Sequence, residues 1–163
     1  MSQSIRVSAR AIVLHEEQIL LNCFGDGLYY NFPGGGIEHG ETALKAVVRE
    51  VFEESGLCVE AEQLLFTYDY APTCCIYSHG DQHHISLFFA CKLVGNAEIT
   101  APTIPDINPK GVQSHAKWIP ISELSNTPFV PNTILKSLLK YIDTGLFEPN
   151  YFAHYNPDTE ESP

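Results

Sequence analysis

The sequence predicts an α/β domain in which helices lie on a mixed β-sheet. Three observations support this fold class. Short runs rich in β-branched and aromatic residues, typical of strands, fill the beginning of the chain and return after the first helix. A glycine-rich loop at 33–41 leads directly into a helical pattern at 42–57. A second amphipathic helix is predicted at 132–142, near the end of the chain.

The first strands carry two of the three arginines in the chain. Arg6 and Arg10 are four residues apart, so they lie on the same face of the first strand. They are either surface cations on a solvated edge or contacts for a phosphate group, and the sequence leaves both interpretations open. The predicted elements here are a strand at 5–14, a turn at 15–17, a returning strand at 18–23 and a short strand at 28–32.

The first helix has recognisable ends. Thr42 is a suitable N-cap residue, and Gly56 stands where a left-handed residue would end the last turn. Apolar residues recur at helical spacing, and we expect that face to pack on the sheet. Its members are Leu44, Val47, Val48 and Val51.

Three carboxylates share the opposite face of this helix: Glu50, Glu53 and Glu54. Like charges at this spacing repel one another by a few tenths of a kcal/mol, about 0.2–0.5 per exposed pair. A divalent cation removes the conflict, and hard cations such as Mg²⁺ prefer oxygen ligands. The alternative interpretation is an ordinary solvated acidic face.

The rest of the chain is predicted to complete the sheet and add the second helix. Residues 82–94 are apolar on both faces, which favours an interior strand. Aromatic residues after 144, namely Phe147, Tyr151, Phe152 and Tyr155, are expected to dock on the body or on a second subunit, so a homodimer is possible. The other predicted elements are a strand at 58–70, a hairpin of 73–77 with 82–94, an irregular stretch at 95–116, a strand at 117–120, a turn or brief helix at 121–124 and an irregular tail from 144.

Composition excludes several function classes. A net charge of −11 disfavours a nonspecific nucleic-acid binder, because such binding depends on clustered Lys and Arg. An acidic protein that acts on an anionic phosphate needs a cation at its site, which again indicates bound metal. The five cysteines are odd in number and irregularly spaced, which fits reduced thiols. A zinc site of Cys74 and Cys75 with His79, His83 and His84 lacks the usual separated ligand pairs, so these residues are better explained as core and surface of a hairpin. Without a secretory segment or a bilayer-length apolar run, we expect a cytoplasmic protein with no membrane partner.

One motif carries a family resemblance. Gly35 is followed after five residues by Glu41, and after seven more by the run Arg49-Glu50-Val51-Phe52-Glu53-Glu54-Ser55-Gly56-Leu57. This arrangement fills every fixed position of the Nudix box, G-x5-E-x7-R-E-U-x-E-E-x-G-U, where U is aliphatic. The chain therefore resembles a Nudix (MutT-like) hydrolase. The resemblance implies an α/β/α sandwich with a mixed, partly curved sheet between helices. We expect one such domain at 1–156, followed by an acidic, disordered tail at 157–163.

The resemblance also implies a chemistry. Nudix hydrolases use Mg²⁺ or Mn²⁺ to cleave the pyrophosphate bond of a nucleoside diphosphate linked to another group, by attack of water on phosphorus. The metal ligands carried over are Glu50, Glu53 and Glu54, with a backbone carbonyl of Gly34 or Gly35. The same carboxylates, with Arg49 and Glu41 in support, form the expected catalytic set. The expected substrate-binding residues are Arg6, Arg10, Tyr29, Gly35 and Gly36.

The sequence leaves alternatives open for an additional base, for the substrate and for the function. Some relatives place an additional glutamate in the loop before the late Trp strand, where this chain offers only Glu98 and Asp106. The substrates still open are nucleoside triphosphates, ADP-ribose, dinucleoside polyphosphates, sugar nucleotides and capped RNA. A non-hydrolytic nucleotide-sensing module on the same fold is the alternative function, but such a protein would be expected to lose unneeded acidic positions.

Overall fold

The computed structural model describes residues 4–71, 82–100 and 114–153, and it shows a curled mixed sheet with a helix on each face. The predicted α/β sandwich is confirmed. The strands of the described residues are β1 (Arg6–His15), β2 (Gln18–Phe24), β3 (Tyr29–Asn31), β4 (Gly34–Gly36), β5 (Cys58–Tyr70), β6 (His84–Val94), β7 (Ser114–Pro120), β8 (Phe129–Val130) and β9 (Tyr151–Ala153), and the helices are α1 (Ala43–Ser55) and α2 (Leu135–Thr144).

β1 organises the sheet, because its two edges are used differently. On one edge β6 pairs with it in parallel from Arg6 to Val13. The other edge is shared, since residues 8–10 pair with β4 and residues 14–15 pair with β2. The described strands follow the order β8-β3-β2-β1-β6-β5-β9, with β7 beside β2. Because one edge of β1 serves two partners, the sheet divides there, and the glycine loop is held at the division.

Two apolar clusters fill the layers on either side of the sheet. The cluster under α1 joins Val47 and Val51 to small residues of β1 such as Ala9 and Ala11. The cluster on the other face contains most of the buried aromatic side chains and joins Leu138 of α2 to the sheet. Each helix therefore buries one side against its own face of the sheet. Among the described residues, no helix is long and apolar enough to cross a bilayer.

The apolar stripe of α1 differs from its prediction at one position. Leu44 is 47% exposed, so the expectation that it packs on the sheet was wrong. The buried line runs through Val47, Val51 and Ser55, which are spaced four residues apart, and Ala46 extends it. Leu44 lies beside this line, whose member in the first turn is the partly buried Ala43.

Three other predictions required correction or fall outside the described residues. β6 is an interior strand as predicted, but its antiparallel neighbour is β5. The proposed partner at 73–77 lies outside the described residues. β7 begins at Ser114 and pairs with β2 over its whole length, so residues 114–116 are strand and not irregular. The second helix begins with a 3₁₀ turn at Asn132–Ile134 before α2.

The tail docks on the body of the domain. Phe147 stacks on Phe66 with ring centroids 4.4 Å apart, and Phe152 meets the same ring edge-on. The predicted docking is confirmed, but the tail is not wholly irregular, because β9 pairs in parallel with β5. Tyr155 and the predicted acidic tail at 157–163 lie outside the described residues.

Candidate active site

The glycine loop is pressed against β1 by short-range backbone pairing. β4 runs antiparallel to β1, with Gly34 opposite Arg10 and Gly36 opposite Ser8. Gly34 has a φ of +139°, and a Cβ atom there would lie 2.6 Å from the backbone Cα of Arg10. Only glycine fits this position, because the left-handed φ and the close approach both exclude a side chain.

α1 delivers two carboxylates to this loop. Thr42 accepts a hydrogen bond from the Lys45 N–H and so fixes the first turn, as predicted. One helical turn separates Glu50 from Glu54, which places both on the side of α1 that faces the loop. The Gly34 N–H donates to Oε2 of Glu54 at 2.8 Å. The Glu50 carboxylate lies so close to Gly35 that a Cβ atom there would be 2.5 Å from its Cδ.

Glu53 takes a different position. Its side chain is 56% exposed, and its Oε2 lies 3.2 Å from Nη1 of Arg49. Among the described residues, no three Asp, Glu, His or Cys side chains converge closely enough to hold a metal ion by themselves. The structure thus brings Glu50 and Glu54 together at the loop and leaves Glu53 outside that pair.

Arg49 balances the charge at one end of the site. Its guanidinium donates two hydrogen bonds to the Glu41 carboxylate, at 2.9 and 3.0 Å. It also donates to Oε1 of Glu50 at 2.9 Å and to the Gly36 carbonyl at 3.1 Å. Hydrogen bonds lower the pKa of Glu41 to about 2, chiefly those from Arg49 and next the one from the Glu38 N–H. Glu41 in turn raises the pKa of Arg49. This network ties the loop to the helix.

Glu54 lies in a very different environment. Burial raises its pKa to about 8, and the nearby charge of Glu50 acts in the same direction. A hydrogen bond from Asn22, the Gly34 N–H and the charge of Arg10 oppose this shift without cancelling it. The Arg49 guanidinium balances the charge of Glu50, whereas the charge of Arg10 only partly offsets the burial of Glu54. A further cation beside Glu54 would therefore lower the pKa of that carboxyl.

Asn22 is a site residue that the sequence analysis missed. It lies on β2, is 2% exposed, and donates a hydrogen bond to Glu54. Its Oδ1 has no hydrogen-bond partner within the described parts of the chain. The available signal was a polar residue in the middle of an apolar strand, Gln18-Ile-Leu-Leu-Asn-Cys-Phe24.

Arg6 and Arg10 lie beside the loop on its other side. Nη1 of Arg10 donates to the Phe32 carbonyl at 2.8 Å, and Gly34 O lies 3.5 Å away. Arg6 is exposed and reaches over Gly36, since a Cβ atom there would lie 3.5 Å from its Nη2. His84 is opposite Arg6 in the β1–β6 register. Burial, and then the two arginines, lower the pKa of His84.

Two other predicted residues lie away from this group. Tyr29 stacks on Phe24 with ring centroids 4.6 Å apart, on β3, which pairs with the Asn22–Phe24 end of β2. Glu98, one of the two candidates for an additional base, is exposed, and Asp106 lies outside the described residues. The described geometry therefore brings neither Tyr29 nor an additional base to the Glu50–Glu54 pair.

The donor set at the loop fits a hard divalent cation. It consists of the carboxylates of Glu50 and Glu54, the backbone carbonyls of the loop and the unpartnered buried oxygen of Asn22. All of these are oxygen ligands of the kind that Mg²⁺ and Mn²⁺ accept. Among the described residues, no cluster of three or more His, Cys, Asp or Glu side chains offers an alternative metal site.

Comparisons with known proteins agree with this arrangement. Nudix hydrolase 2 of Arabidopsis thaliana is 31% identical over 148 residues, which are 85% of this chain and 46% of that protein. A MutT-like protein of Streptomyces ambofaciens is 32% identical over 96 residues, 58% of this chain and 56% of that protein. The chain thus spans about half the length of these curated relatives. A crystal structure of a NUDIX hydrolase from Nitrosomonas europaea superposes with a TM-score of 0.66 at 19% identity, covering 94% of this chain and 79% of that one.

The family assignment rests on more than these pairwise matches. The sequence model of the NUDIX domain family matches residues 5–138, which include β1, the glycine loop, α1 and the strands around them. The chain belongs to the NUDIX family.

Proposed function

We propose that the chain is a metal-dependent pyrophosphohydrolase. It cleaves the pyrophosphate bond of a nucleoside diphosphate linked to another group, by attack of water on phosphorus. The observation that carries this proposal is the convergence of the Glu50 and Glu54 carboxylates on the backbone of Gly34 and Gly35. Membership of the NUDIX family supports the same reaction class.

The proposed cofactor is Mg²⁺ or Mn²⁺. When bound, such an ion neutralises phosphate charge and lowers the pKa of a bound water toward neutrality. Glu50 and Glu54 would hold it with a carbonyl oxygen of Gly34 or Gly35. Glu53 completes the proposed ligand set from the exposed side of α1.

The remaining groups position the reactants. Arg49 fixes one oxygen of Glu50 through its Nη1, so that Glu50 is oriented to accept a proton from the attacking water. Glu41 holds Arg49 in place and is not expected to touch the substrate. Arg6 and Arg10 supply positive charge on the other side of the loop, where the phosphates of the substrate would lie.

The nucleotide part of the substrate is proposed to extend over the glycine loop. Gly36 leaves room for the phosphates beside Arg6, and Gly35 lets the Glu50 carboxylate lie directly against the loop backbone, because neither residue has a side chain. Tyr29 is a stacking partner for a nucleobase only if the substrate extends from the loop to the start of β3.

The test is a hydrolysis panel with Mg²⁺ and with Mn²⁺. The panel contains nucleoside triphosphates, ADP-ribose, dinucleoside polyphosphates, sugar nucleotides and capped RNA, and both products are identified so that the cleaved bond is known. On the best substrate, Glu53→Gln and Glu54→Gln are each expected to lower kcat by about a hundredfold or more. Glu60→Gln, an exposed position on β5 outside the site, is the matched control.

Two results would contradict the proposal. Turnover near that of the unaltered protein in both Glu53→Gln and Glu54→Gln would remove the assigned site. Tight nucleotide binding with no product release across the whole panel would favour the sensing module instead.

A further inference from the structure

Asn22 is an unusual residue for its position. It lies on β2, between Leu21 and Cys23, in a strand whose other members are mostly buried apolar residues. Side chains alternate along a strand, so Asn22 and Leu20 face the same side of the sheet. Leu20 belongs to the apolar cluster under α1, which places the Asn22 amide in the layer between the sheet and this helix.

The two ends of this amide are used differently. The NH₂ group donates to the Glu54 carboxylate, whereas Oδ1 has no hydrogen-bond partner among the described residues. A buried acceptor without a partner destabilises a protein by about 1–3 kcal/mol. Buried polar atoms of this kind are normally satisfied by protein, ordered water or an ion.

Rotating the amide by 180° does not solve the problem. When Glu54 is ionised, as a metal ligand must be, that orientation would place Oδ1 against its carboxylate oxygens and would leave the NH₂ group without its acceptor. A structural link between β2 and α1 needs only the donor that Glu54 already uses. The free oxygen therefore requires a separate explanation.

The position of Oδ1 provides one. Oδ1 and Nδ2 belong to the same amide, so Oδ1 lies within about 5 Å of the carboxylate oxygens of Glu54. These oxygens are at the loop, next to the Gly34 N–H and the Glu50 carboxylate. The unpartnered acceptor is thus at the edge of the proposed cation site.

We propose that Asn22 is a positioning residue of the metal site: its NH₂ group fixes Glu54, and its Oδ1 accepts a hydrogen bond from a water bound to the divalent ion. This inference rests on the proposed function. It pairs each of the two converging carboxylates with its own orienting group, Arg49 for Glu50 and Asn22 for Glu54. Groups that orient metal ligands in this way typically change metal affinity by about 10- to 100-fold when removed.

The experiment measures Mn²⁺ binding without substrate, by the loss of the free-ion electron paramagnetic resonance signal during titration. Each variant is also unfolded thermally in EDTA and in Mn²⁺. Asn22→Leu, which keeps similar volume without either polar atom, is expected to weaken Mn²⁺ binding by about tenfold or more. Cys23→Ala is the control, because Cys23 is buried on the same strand but faces the opposite side of the sheet. It is expected to lower the thermal midpoint while Mn²⁺ affinity stays within twofold.

Asn22→Asp keeps an oxygen acceptor and replaces the donor by a second carboxylate. In EDTA its midpoint is expected to fall, because two carboxylates then face each other. Mn²⁺ is expected to raise that midpoint by more than it raises that of the unaltered protein, with affinity equal or tighter. This variant keeps the question answerable if Asn22→Leu does not fold.

The outcomes separate this inference from the proposed function. If Glu54→Gln loses Mn²⁺ binding but Asn22→Leu binds Mn²⁺ within twofold of the unaltered protein, Asn22 has only a structural role and the inference is overturned. If Asn22→Asp loses as much Mn²⁺ affinity as Asn22→Leu, the acceptor role of Oδ1 is overturned. If the unaltered protein binds no Mn²⁺, the proposed metal site fails and the inference fails with it.

Discussion

The acidic motif has two ends, one at Arg49 and one at Glu54, and the carboxylates at these ends lie in opposite electrostatic environments. At one end Arg49 donates hydrogen bonds to Glu41, Glu50 and Glu53, and the pKa of Glu41 falls to about 2. At the other end Glu54 accepts hydrogen bonds from neutral groups, the Gly34 N–H and the Asn22 amide, and its pKa rises to about 8. Glu41 and Glu54 belong to the same motif, but their pKa values are shifted in opposite directions.

This difference bears on where the proposed cation would balance charge. The Arg49 end already contains its own positive charge, and its hydrogen bonds hold the loop and the helix together. At the Glu54 end the hydrogen bonds come from neutral groups, and the charge of Arg10 only partly offsets burial. We therefore expect the first end to be mainly structural and the second to depend on metal.

Removal of Arg49 should produce the largest change. Arg49→Met leaves Glu41 and Glu50 as close, partly buried carboxylates without their common donor. In EDTA the free energy of unfolding is expected to fall by more than the roughly 0–1 kcal/mol that an exposed ion pair contributes, because one change removes a donor from three carboxylates. Urea unfolding followed by circular dichroism measures this loss, and Mn²⁺ should restore part of it by replacing the lost positive charge.

Lys140→Met is the matched control for this variant. Lys140 pairs with Glu148 at 2.7 Å, but the two side chains are 46% and 69% exposed. A solvent-exposed pair of this kind contributes about 0–1 kcal/mol. If Arg49→Met were no more destabilised than Lys140→Met, the Arg49 network would not be the structural end of the site.

The contributions of Glu54 and Glu41 to the free energy of unfolding should change with pH in opposite directions. In EDTA the folded protein keeps the Glu54 proton up to a pH of about 8, whereas the unfolded chain releases it near the ordinary pKa of 4.5. The contribution of Glu54 is therefore present below pH 4.5 and is lost as the pH rises to about 8, by at most about 1.4 kcal/mol per pH unit. The lowered pKa of Glu41 acts in reverse, and its contribution is lost as the pH falls from 4.5 toward 2.

Urea unfolding in EDTA between pH 4.5 and pH 8.5 measures the first of these effects. Comparison with Glu54→Gln isolates it, because the amide cannot titrate while Glu50 and Arg10 remain in place. The variant should show a flatter decline with pH than the unaltered protein. Equal slopes in the two proteins would show that Glu54 is not the buried titrating group.

Local sequence signals were sufficient for the parts of the site that lie within one segment. Thr42 and Gly56 gave both ends of α1, because caps act on their own helix. The helical spacing of Glu50 and Glu54 placed them on one face for the same reason. The family motif located the glycine loop, and β1 then holds it through Gly34.

Contacts between distant segments could not be predicted from such local signals. Asn22 looked like an interruption in a strand, since only the tertiary arrangement brings β2 and Glu54 together. Leu44 fits the apolar spacing of α1 but is exposed, because the helix turns Ala43 and Val47 toward the sheet instead. β9 was missed because three residues gain a strand conformation only from their pairing with β5.

Gly35 and Gly36 are adjacent in the loop, so variants at these two positions test the comparison over the shortest distance. The sequence indicates that glycines allow close approach, but not which residue each one accommodates. At Gly35 a Cβ atom would lie 2.5 Å from Cδ of Glu50, whereas at Gly36 the nearest atom is 3.5 Å away, on the Arg6 guanidinium. An alanine at 35 must therefore displace a proposed metal ligand, and an alanine at 36 makes an ordinary contact.

Gly35→Ala is accordingly expected to weaken Mn²⁺ binding by about tenfold, since displaced ligand geometry has effects of this size. Gly36→Ala should leave Mn²⁺ affinity within twofold, because its new methyl group meets Arg6 and not a carboxylate. Titration of Mn²⁺ into both variants makes the comparison at adjacent positions of one loop. Equal affinities would mean that Glu50 does not hold the ion from the position it occupies against Gly35, and the metal would then depend on Glu54 without its neighbour.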